Sequence, residues 1–223
     1  STPLYSSAAS DVYKRQEDIV ITPDNKYLII SEFGGIRPYD SSKPGGFALL
    51  RLSDKKILEP KIFFGENAWG ESSCKQNNIF GPHGIDLVQR EDGRYQLGVI
   101  NHYPYESIEM FELTQSTENE EWLFVWRGCV DVPKKYYLND IALKKDGTFY
   151  VSHMYPRDIS MTEWLITTIL KKNSGVVLNW NKNNFEDYEN MASLIENFRF
   201  GTLDYDLGQK YGVICNLPGV LKV

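Results

Sequence analysis

The chain of 223 residues is 42% hydrophobic and 13% aromatic, which is enough apolar material to bury a core within one domain. Its 24 basic and 30 acidic residues give a formal net charge of −6, and no basic run is longer than two residues, so a nucleic-acid-binding surface is not indicated. No segment approaches the roughly 18 consecutive apolar residues of a membrane-spanning helix.

Residues 1–16 are predicted to form a non-native or disordered leader, because they show no apolar periodicity. The folded domain is assigned to residues 17–223. We interpret this domain as incomplete and the chain as a fragment, since residues 211–223 stop inside a predicted pair of strands.

The folded part contains a repeated unit: two opening residues, a short apolar strand, a turn and a second apolar strand. Counted back from the aromatic residue after each turn, the opening pairs are Glu17-Asp18, Ile85-Asp86, Asn139-Asp140 and Gly201-Thr202. The first three turns are Pro23-Asp24-Asn25, Glu91-Asp92-Gly93 and Lys145-Asp146-Gly147. Such turns between apolar strands predict β-hairpins. Hairpins that recur at roughly 50–70 residues are typical of β-propeller blades.

Each of the first two units contains four predicted strands. They begin at Glu17 and continue at 27–31, 47–52 and 57–64 in the first unit, and lie at 85–88, 95–101, 107–113 and 122–129 in the second. The third unit opens at Asn139, includes 148–153 and resumes at 176–180, and the fourth begins at Phe198. We therefore predict an all-β fold, a β-propeller of four-stranded antiparallel blades.

Residues 157–172 interrupt the third unit and predict an amphipathic helix. Ser160 and Glu163 have the spacing of a capping box. The apolar face consists of Met161, Trp164, Leu165, Ile169 and Leu170, followed by Lys171 and Lys172. We expect the helix to cover the sheet ends as a lid, with Trp164 and Leu165 at least partly buried. Association of this face with a membrane or a partner is the alternative.

The opening pairs predict a metal site, because the innermost strands of successive blades begin near one central axis. Their first positions would form a ring of Glu17, Ile85, Asn139 and Gly201. Carboxylate, amide and backbone carbonyl oxygens are ligands that suit calcium. The alternative is that Asp and Asn before strands only form turns.

Two of the three histidines fall in the second unit. His83 lies in Gly81-Pro82-His83-Gly84-Ile85 at the start of the first strand, and His102 follows the second strand. These ends are neighbours in a hairpin, so the two rings are expected to be close. A histidine pair beside a metal can take a proton from water and transfer it, whereas the alternative is two hydrogen-bonded structural residues.

The three cysteines are Cys74, Cys129 and Cys215. Their odd number and the absence of a C-x-x-C motif indicate neither a disulfide framework nor a zinc site. We expect Cys129 and Cys215 to be small buried hydrophobic residues.

Together these motifs resemble the calcium-dependent paraoxonase/arylesterase family. The residues that carry the resemblance are, in order, Glu17-Asp18, Ser42-Lys-Pro-Gly-Gly46, Pro82-His83-Gly84-Ile85, Asn101-His102 and Asn139-Asp140-Ile141. That family is a six-bladed β-propeller with two calcium ions in a central tunnel, and it hydrolyses lactones and aryl esters. The resemblance covers residues 17–223 and implies that about four of the six blades are present.

The resemblance implies a role for each matching residue. Glu17 and Asn139 match ligands of the catalytic calcium, Asp18, the carbonyl of Ile85 and Asp140 match the structural calcium, and His83 and His102 match the histidines proposed to activate water. A further ligand position falls at Gly201, which has no side-chain oxygen, so this chain alone is expected to bind the catalytic ion weakly and to be inactive. The resemblance also suggests an extracellular or periplasmic location.

Other functions remain open. A non-catalytic propeller stabilised by calcium and used for binding is favoured by Gly201, whereas the histidine pair favours the hydrolase. A gluconolactonase-like or strictosidine-synthase-like propeller shares the architecture but explains Pro82-His83-Gly84 less well. A small ester or lactone substrate is expected, and Trp69, Tyr103 and Tyr105 in the loops suit an apolar one.

Overall fold

The computed structural model describes residues 16–34, 45–76, 80–117, 121–170 and 175–187. Within these ranges the chain is all-β with one helix. The strands are β1 Gln16–Ile21, β2 Tyr27–Glu32, β3 Gly46–Arg51, β4 Ile57–Leu58, β5 Lys61–Phe64, β6 Pro82–Gln89, β7 Tyr95–Asn101, β8 Ser107–Gln115, β9 Trp122–Asp131, β10 Leu138–Leu143, β11 Phe149–His153, β12 Val176–Trp180 and β13 Phe185–Asp187. The helix α1 is Met161–Ile169 and lies between β11 and β12.

The strands form three successive sheets. The first has the order β1-β2-β3-β4, the second β5-β9-β8-β7-β6, and the third β10-β11-β12-β13. Neighbouring strands are antiparallel except β5 and β9, which are parallel. The first strands of neighbouring sheets lie side by side, β1 with β6 and β6 with β10. This arrangement brings the starts of β1, β6 and β10 together.

The three predicted turns are present, and each uses a residue with a left-handed backbone. Asn25 has φ 57°, Gly93 has φ 83° and Gly147 has φ 89°. Glycine and asparagine tolerate this conformation better than other residues, which explains why the turns can be recognised from the sequence.

The second sheet is buried on both faces. One face packs on the first sheet, where Leu97, Val99 and Phe111 meet Ile29 and Phe47. The other face packs on the third sheet through residues such as Ile100, Ile108, Met110, Leu138 and Val151. This double burial explains why β7 and β8 consist of almost continuous buried residues rather than an alternating pattern.

Two predicted strands differ from the structure. The segment 57–64 is not one strand: β4 completes the first sheet, and β5 joins the outer edge of the second sheet as a fifth strand. Pro60 separates them, because proline has no N–H to continue the ladder. In the third sheet, β13 supplies the fourth strand, from a segment after 176–180 for which the sequence predicts no strand.

A bulge at the start of each first strand aligns the three sheets. The register shifts between Gln16 and Ile19, between Pro82 and Ile85, and between Leu138 and Ile141. The bulges therefore contain Glu17-Asp18, His83-Gly84 and Asn139-Asp140. The predicted alignment, in which Ile85-Asp86 took the second position, is wrong by two residues.

The disagreement arises because the second hairpin is longer. From the bulge to the turn, β6 runs over 85–89, whereas β1 runs over 19–21 and β10 over 141–143. Side chains alternate along a strand with a period of two, so a shift of two residues leaves the hydrophobic pattern unchanged. An alignment anchored at the turns cannot detect it.

The helix begins with the predicted capping box. The Oγ of Ser160 accepts a hydrogen bond from the N–H of Glu163 at 3.2 Å, and the Glu163 carboxylate accepts one from the N–H of Ser160 at 3.1 Å. Its apolar face is more exposed than a lid requires: Trp164 and Leu165 are 40% and 49% exposed, and Met161 is 79% exposed. Among the described residues, no helix has the length and hydropathy needed to cross a bilayer.

Cys74 and Cys129 form a disulfide, with Cα atoms 5.6 Å apart. The prediction that the cysteines do not form a disulfide is therefore wrong, whereas Cys129 is buried as predicted. The partners are separated by 55 residues, and they meet because the loop after β5 runs back along β9. There the N–H groups of Trp69 and Glu71 donate to the carbonyls of Arg127 and Cys129.

Several predictions fall outside the described residues. They concern residues 1–15, Ser42 to Pro44, Lys171 and Lys172, the fourth unit with Gly201, and Cys215.

Candidate functional site

The bulges of β1, β6 and β10 bring Glu17, His83 and Asn139 together. The Nε2 of His83 lies 3.2 Å from Oε2 of Glu17. Its Nδ1–H donates to the carbonyl oxygen of Asn139 at 2.8 Å. The imidazole of His83 therefore connects the first strands of all three sheets. It contacts the carboxylate of Glu17 and the backbone carbonyl of Asn139.

His83 is suited to carry a positive charge. Burial opposes ionisation, but the hydrogen bonds to Glu17 and the Asn139 carbonyl, with the charges of Glu17 and Asp140, raise the pKa of His83. Both ring nitrogens face acceptors, which favours the form with two N–H donors. A protonated His83 cannot itself accept a proton from water.

His102 has the opposite character. Its side chain is fully buried in the loop after β7. Nδ1 lies 2.8 Å from Oε1 of Glu106, whereas Nε2 is buried and has no hydrogen-bond partner in the part of the chain that the structure describes. Burial lowers the pKa of His102, and the charges of His83 and Arg157 lower it further. The hydrogen bond and the charge of Glu106 act in the opposite direction and raise it. A neutral ring with its proton on Nδ1 leaves a free electron pair on Nε2.

Aromatic rings fix the position of His102. The Tyr137 ring stacks on it at 4.4 Å with an interplanar angle of 13°. The Phe33 ring contacts it edge-on at 5.4 Å. The His83 ring centroid is 5.0 Å away. The predicted neighbourhood of the two histidines is thus present, and the pKa is raised in His83 and lowered in His102.

Two charged residues at this site were not predicted. Glu106 lies four residues after His102, and Arg157 lies in the segment that enters α1. The Nη1 of Arg157 donates to Oε1 of Glu106 at 3.0 Å, and its Nη2 donates to the carbonyl of His102 at 3.2 Å. The segment that enters α1 therefore lies at the same end of the sheets as His102. No sequence pattern links Glu106 with a residue 51 positions away.

A row of carboxylates lies next to the ring, on Asp18, Asp86 and Asp140. Asp18 Oδ2 accepts the N–H of Ile85 at 2.8 Å, and Asp86 Oδ2 accepts the N–H of Leu143 at 2.7 Å, so these two carboxylates bond to the next sheet. The backbones of Asp18 and Asp140 are held in the same way. The N–H of Asp18 donates to Oγ of Ser31, and the N–H of Asp140 donates to Oγ of Ser152.

These carboxylates disfavour one another's charge. Burial, and then the charge of Asp18, raise the pKa of Asp140 to about 7, and Asp86 acts in the same direction. Burial also raises the pKa of Asp18 and of Asp86. A cation between buried carboxylates would relieve this repulsion.

The donor chemistry fits calcium, but the described residues do not form a complete metal site. In residues 16–187, excluding the gaps, no group of three or more His, Cys, Asp or Glu side chains is arranged to bind a metal. The predicted ligands on Glu17, Asp18, Asn139 and Asp140 are oxygen donors, and calcium takes six to eight oxygens. Asp18 contacts Ile85 through the N–H of Ile85, whereas the prediction concerned its carbonyl oxygen.

Trp69 is not a substrate-facing loop residue. It is buried in the core between the second and third sheets. The guanidinium groups of Arg90 and Arg94 lie 4.6 and 4.9 Å from the centroid of its ring. Of the other two loop aromatics, Tyr103 is half-buried and Tyr105 is exposed.

The chain is similar to curated paraoxonases over part of its length. It is 28% and 27% identical over 152 residues to serum paraoxonase/arylesterase 1 of Mus musculus and Rattus norvegicus, covering 66% of this chain and 40% of those proteins. It is 29% identical over 106 residues to serum paraoxonase/arylesterase 2 of Rattus norvegicus, covering 46% of this chain and 28% of that protein. The chain thus spans less than half the length of these relatives. Its sequence is paraoxonase-like.

Among solved structures, the chain is similar to an oxidoreductase of the glucose dehydrogenase type from Thermus thermophilus. The TM-score is 0.36, with 16% identity over 74% of this chain and 43% of that one. No protein-family model matches the chain.

Proposed function

We propose that the chain is part of a calcium-dependent hydrolase of lactones or aryl esters, built on a six-bladed β-propeller whose first three blades are the three sheets. The similarity to two paraoxonase/arylesterases supports this substrate class. The observation that carries the proposal is the fully buried His102, whose Nε2 has no hydrogen-bond partner among the described residues. Its ring centroid lies 5.0 Å from that of His83, beside the ring of Glu17 and Asn139.

In this proposal, Glu17 and Asn139 hold the catalytic calcium, and Asp18, the Ile85 carbonyl and Asp140 hold the structural one. When bound, the catalytic ion would supply Lewis acidity toward the ester carbonyl. The other ligands would come from residues outside the described ranges.

The two histidines have different roles in hydrolysis. His102 accepts a proton from water at Nε2, because that nitrogen is neutral and has no hydrogen-bond partner among the described residues. Glu106 accepts the Nδ1–H and balances the imidazolium charge that forms. His83 orients Glu17 and the Asn139 carbonyl, and in its protonated form it would stabilise developing negative charge nearby.

The second candidate is a non-catalytic propeller that uses calcium for stability. It is favoured by the hydrogen bonds of Asp18 and Asp86 to backbone N–H groups of the next sheet, because such carboxylates have an architectural role without catalysis.

The test measures hydrolysis of an aryl acetate and of a six-membered lactone by this chain and by the protein that a longer reading frame containing it encodes. Each protein is assayed with calcium and with chelator. We expect activity of the longer protein to require calcium and to fall roughly 10²–10⁴-fold in His102→Gln. The control is Glu112→Gln, which breaks a carboxylate–Arg127 pair elsewhere on β8 and β9. Calcium-dependent stability without hydrolysis would favour the second candidate.

A further inference from the structure

Glu106 is a buried carboxylate that connects three donors. The residue is 2% exposed. Oε1 accepts from Nδ1 of His102 at 2.8 Å and from Nη1 of Arg157 at 3.0 Å, and Oε2 accepts from the N–H of Leu138 at 3.3 Å. A loop side chain with this many partners has a single orientation, and its backbone carbonyl is also bonded, to the N–H of Val132.

The charges in this cluster determine the state of His102. The Arg157 guanidinium is positively charged and contacts the Glu106 carboxylate, so it balances that negative charge without help from the imidazole. His102 can therefore stay neutral and donate only its Nδ1–H to the carboxylate. Arg157 also binds the backbone carbonyl of His102, so one guanidinium fixes both the loop and the carboxylate.

We propose that Glu106, held by Arg157, is a positioning residue that keeps the His102 proton on Nδ1 and leaves Nε2 available to react. The tautomer and the orientation follow from the contacts of these residues alone. Only the consequence for catalysis rests on the proposed function.

The other groups around His102 do not set its tautomer. Tyr137 stacks on the ring face and Phe33 contacts its edge, so both fix the ring plane rather than a proton. His83 is the remaining titratable neighbour, and its nitrogens are engaged by Glu17 and Asn139. Among the described residues, Glu106 is the hydrogen-bond acceptor that faces Nδ1 of His102.

Nuclear magnetic resonance of the ¹⁵N-histidine-labelled full chain tests the proposal without an activity assay. The three histidines give few signals, and His102→Gln identifies those of His102. We expect the wild-type ring to be protonated at Nδ1 only at neutral pH. In Glu106→Gln, one amide oxygen faces three donors, so the amide N–H competes for Nδ1 and the Nε2–H tautomer becomes populated.

The two partners should shift the pKa of His102 in opposite directions. Glu106→Gln removes an adjacent negative charge and lowers that pKa further. Arg157→Gln removes a positive charge, leaves Glu106 without its cation and raises the same pKa. A buried ion pair with a purely structural role would destabilise the fold in both variants without opposite shifts, and Glu112→Gln, which breaks the Arg127 pair, serves as the matched control.

Where the longer protein is active, Glu106→Gln should lower kcat at least roughly tenfold with little change in KM, since the base and not substrate binding is affected. A thermal unfolding curve establishes that each variant is folded. An unchanged tautomer in folded Glu106→Gln overturns the inference. A changed tautomer with unchanged kcat supports the positioning of His102 but contradicts its proposed role as the base.

Discussion

At Gly84 the backbones of the second and third sheets come into direct contact. A Cβ atom built on Gly84 would lie 2.4 Å from the carbonyl oxygen of Asn139 and 2.6 Å from the Cα of Asp140. Both atoms belong to the backbone of β10, so they cannot rotate away as a flexible side chain would. We therefore predict that Gly84→Ala lowers the free energy of unfolding by about 1–3 kcal/mol, the usual range for overpacking. Denaturant unfolding measures this difference.

The matched control is Gly46→Ala at the start of β3, where an added Cβ meets no atom of the described residues within 4 Å. It is expected to change stability by less than about 0.5 kcal/mol. Equal effects of the two substitutions would show that the close approach of the strands at Gly84 does not limit their packing.

The residues of the candidate site differ in whether the sequence could predict them. Glu17, His83, Asn139 and His102 were recognised because each lies at the end of a strand whose hairpin turn is visible in the sequence. Glu106 and Arg157 were missed because their contact depends on how the loop after β7 meets the segment before α1. Local patterns carry no information about such a contact.

At the scale of elements, turn chemistry and apolar periodicity predicted the hairpins, and the capping box predicted the helix start. The length of each hairpin was not predicted. β6 and β7 extend two residues further beyond the bulge than their counterparts, and the double burial of the second sheet accommodates this because both faces have neighbours. The alignment was wrong for this reason, although the strands themselves were identified.

The disulfide joins the loop after β5 to the middle of the second sheet. Cross-linking residues 55 positions apart restricts the unfolded chain, and the loop-entropy estimate for this length is about 4 kcal/mol. We predict that Cys74→Ala combined with Cys129→Ala lowers the free energy of unfolding by up to that amount. Denaturant midpoints with and without reductant measure the effect.

The control for the disulfide is the double variant itself, since reductant should lower the stability of the wild-type chain but leave that of the variant unchanged. A wild-type midpoint that is insensitive to reductant, under conditions where free thiols are detected, would contradict this prediction.

At the scale of the whole molecule, the three sheets are joined through their first strands by a repeated device. Asp18 bonds the backbone of β6, Asp86 bonds the backbone of β10, and His83 bonds groups on β1 and β10. The same region thus contains the contacts between sheets and the buried charges. Stability and metal binding are therefore expected to be coupled.

This coupling predicts a pH dependence in the presence of chelator. The pKa of Asp140 is about 7 in the folded state and 3.8 for the free side chain, so the folded state holds this proton more tightly. Stability should fall as the pH rises from about 4 to about 7, because the unfolded chain ionises first. The pKa difference corresponds to at most about 4 kcal/mol. Denaturant unfolding at several pH values measures this decline.

Calcium should reverse the decline, since it stabilises the ionised carboxylates. Binding to the folded state alone adds about 2.7 kcal/mol at a hundredfold excess over Kd. Asp140→Asn keeps an acceptor for the N–H of Ile141 but cannot ionise, so it should be more stable than wild type in chelator at pH 7 and respond less to calcium. His83 provides the contrast: its raised pKa also makes stability fall with pH, but only above its ordinary value of 6.5. If wild type and Asp140→Asn lose stability equally between pH 4 and 7 in chelator, Asp140 is not a strained carboxylate that calcium relieves.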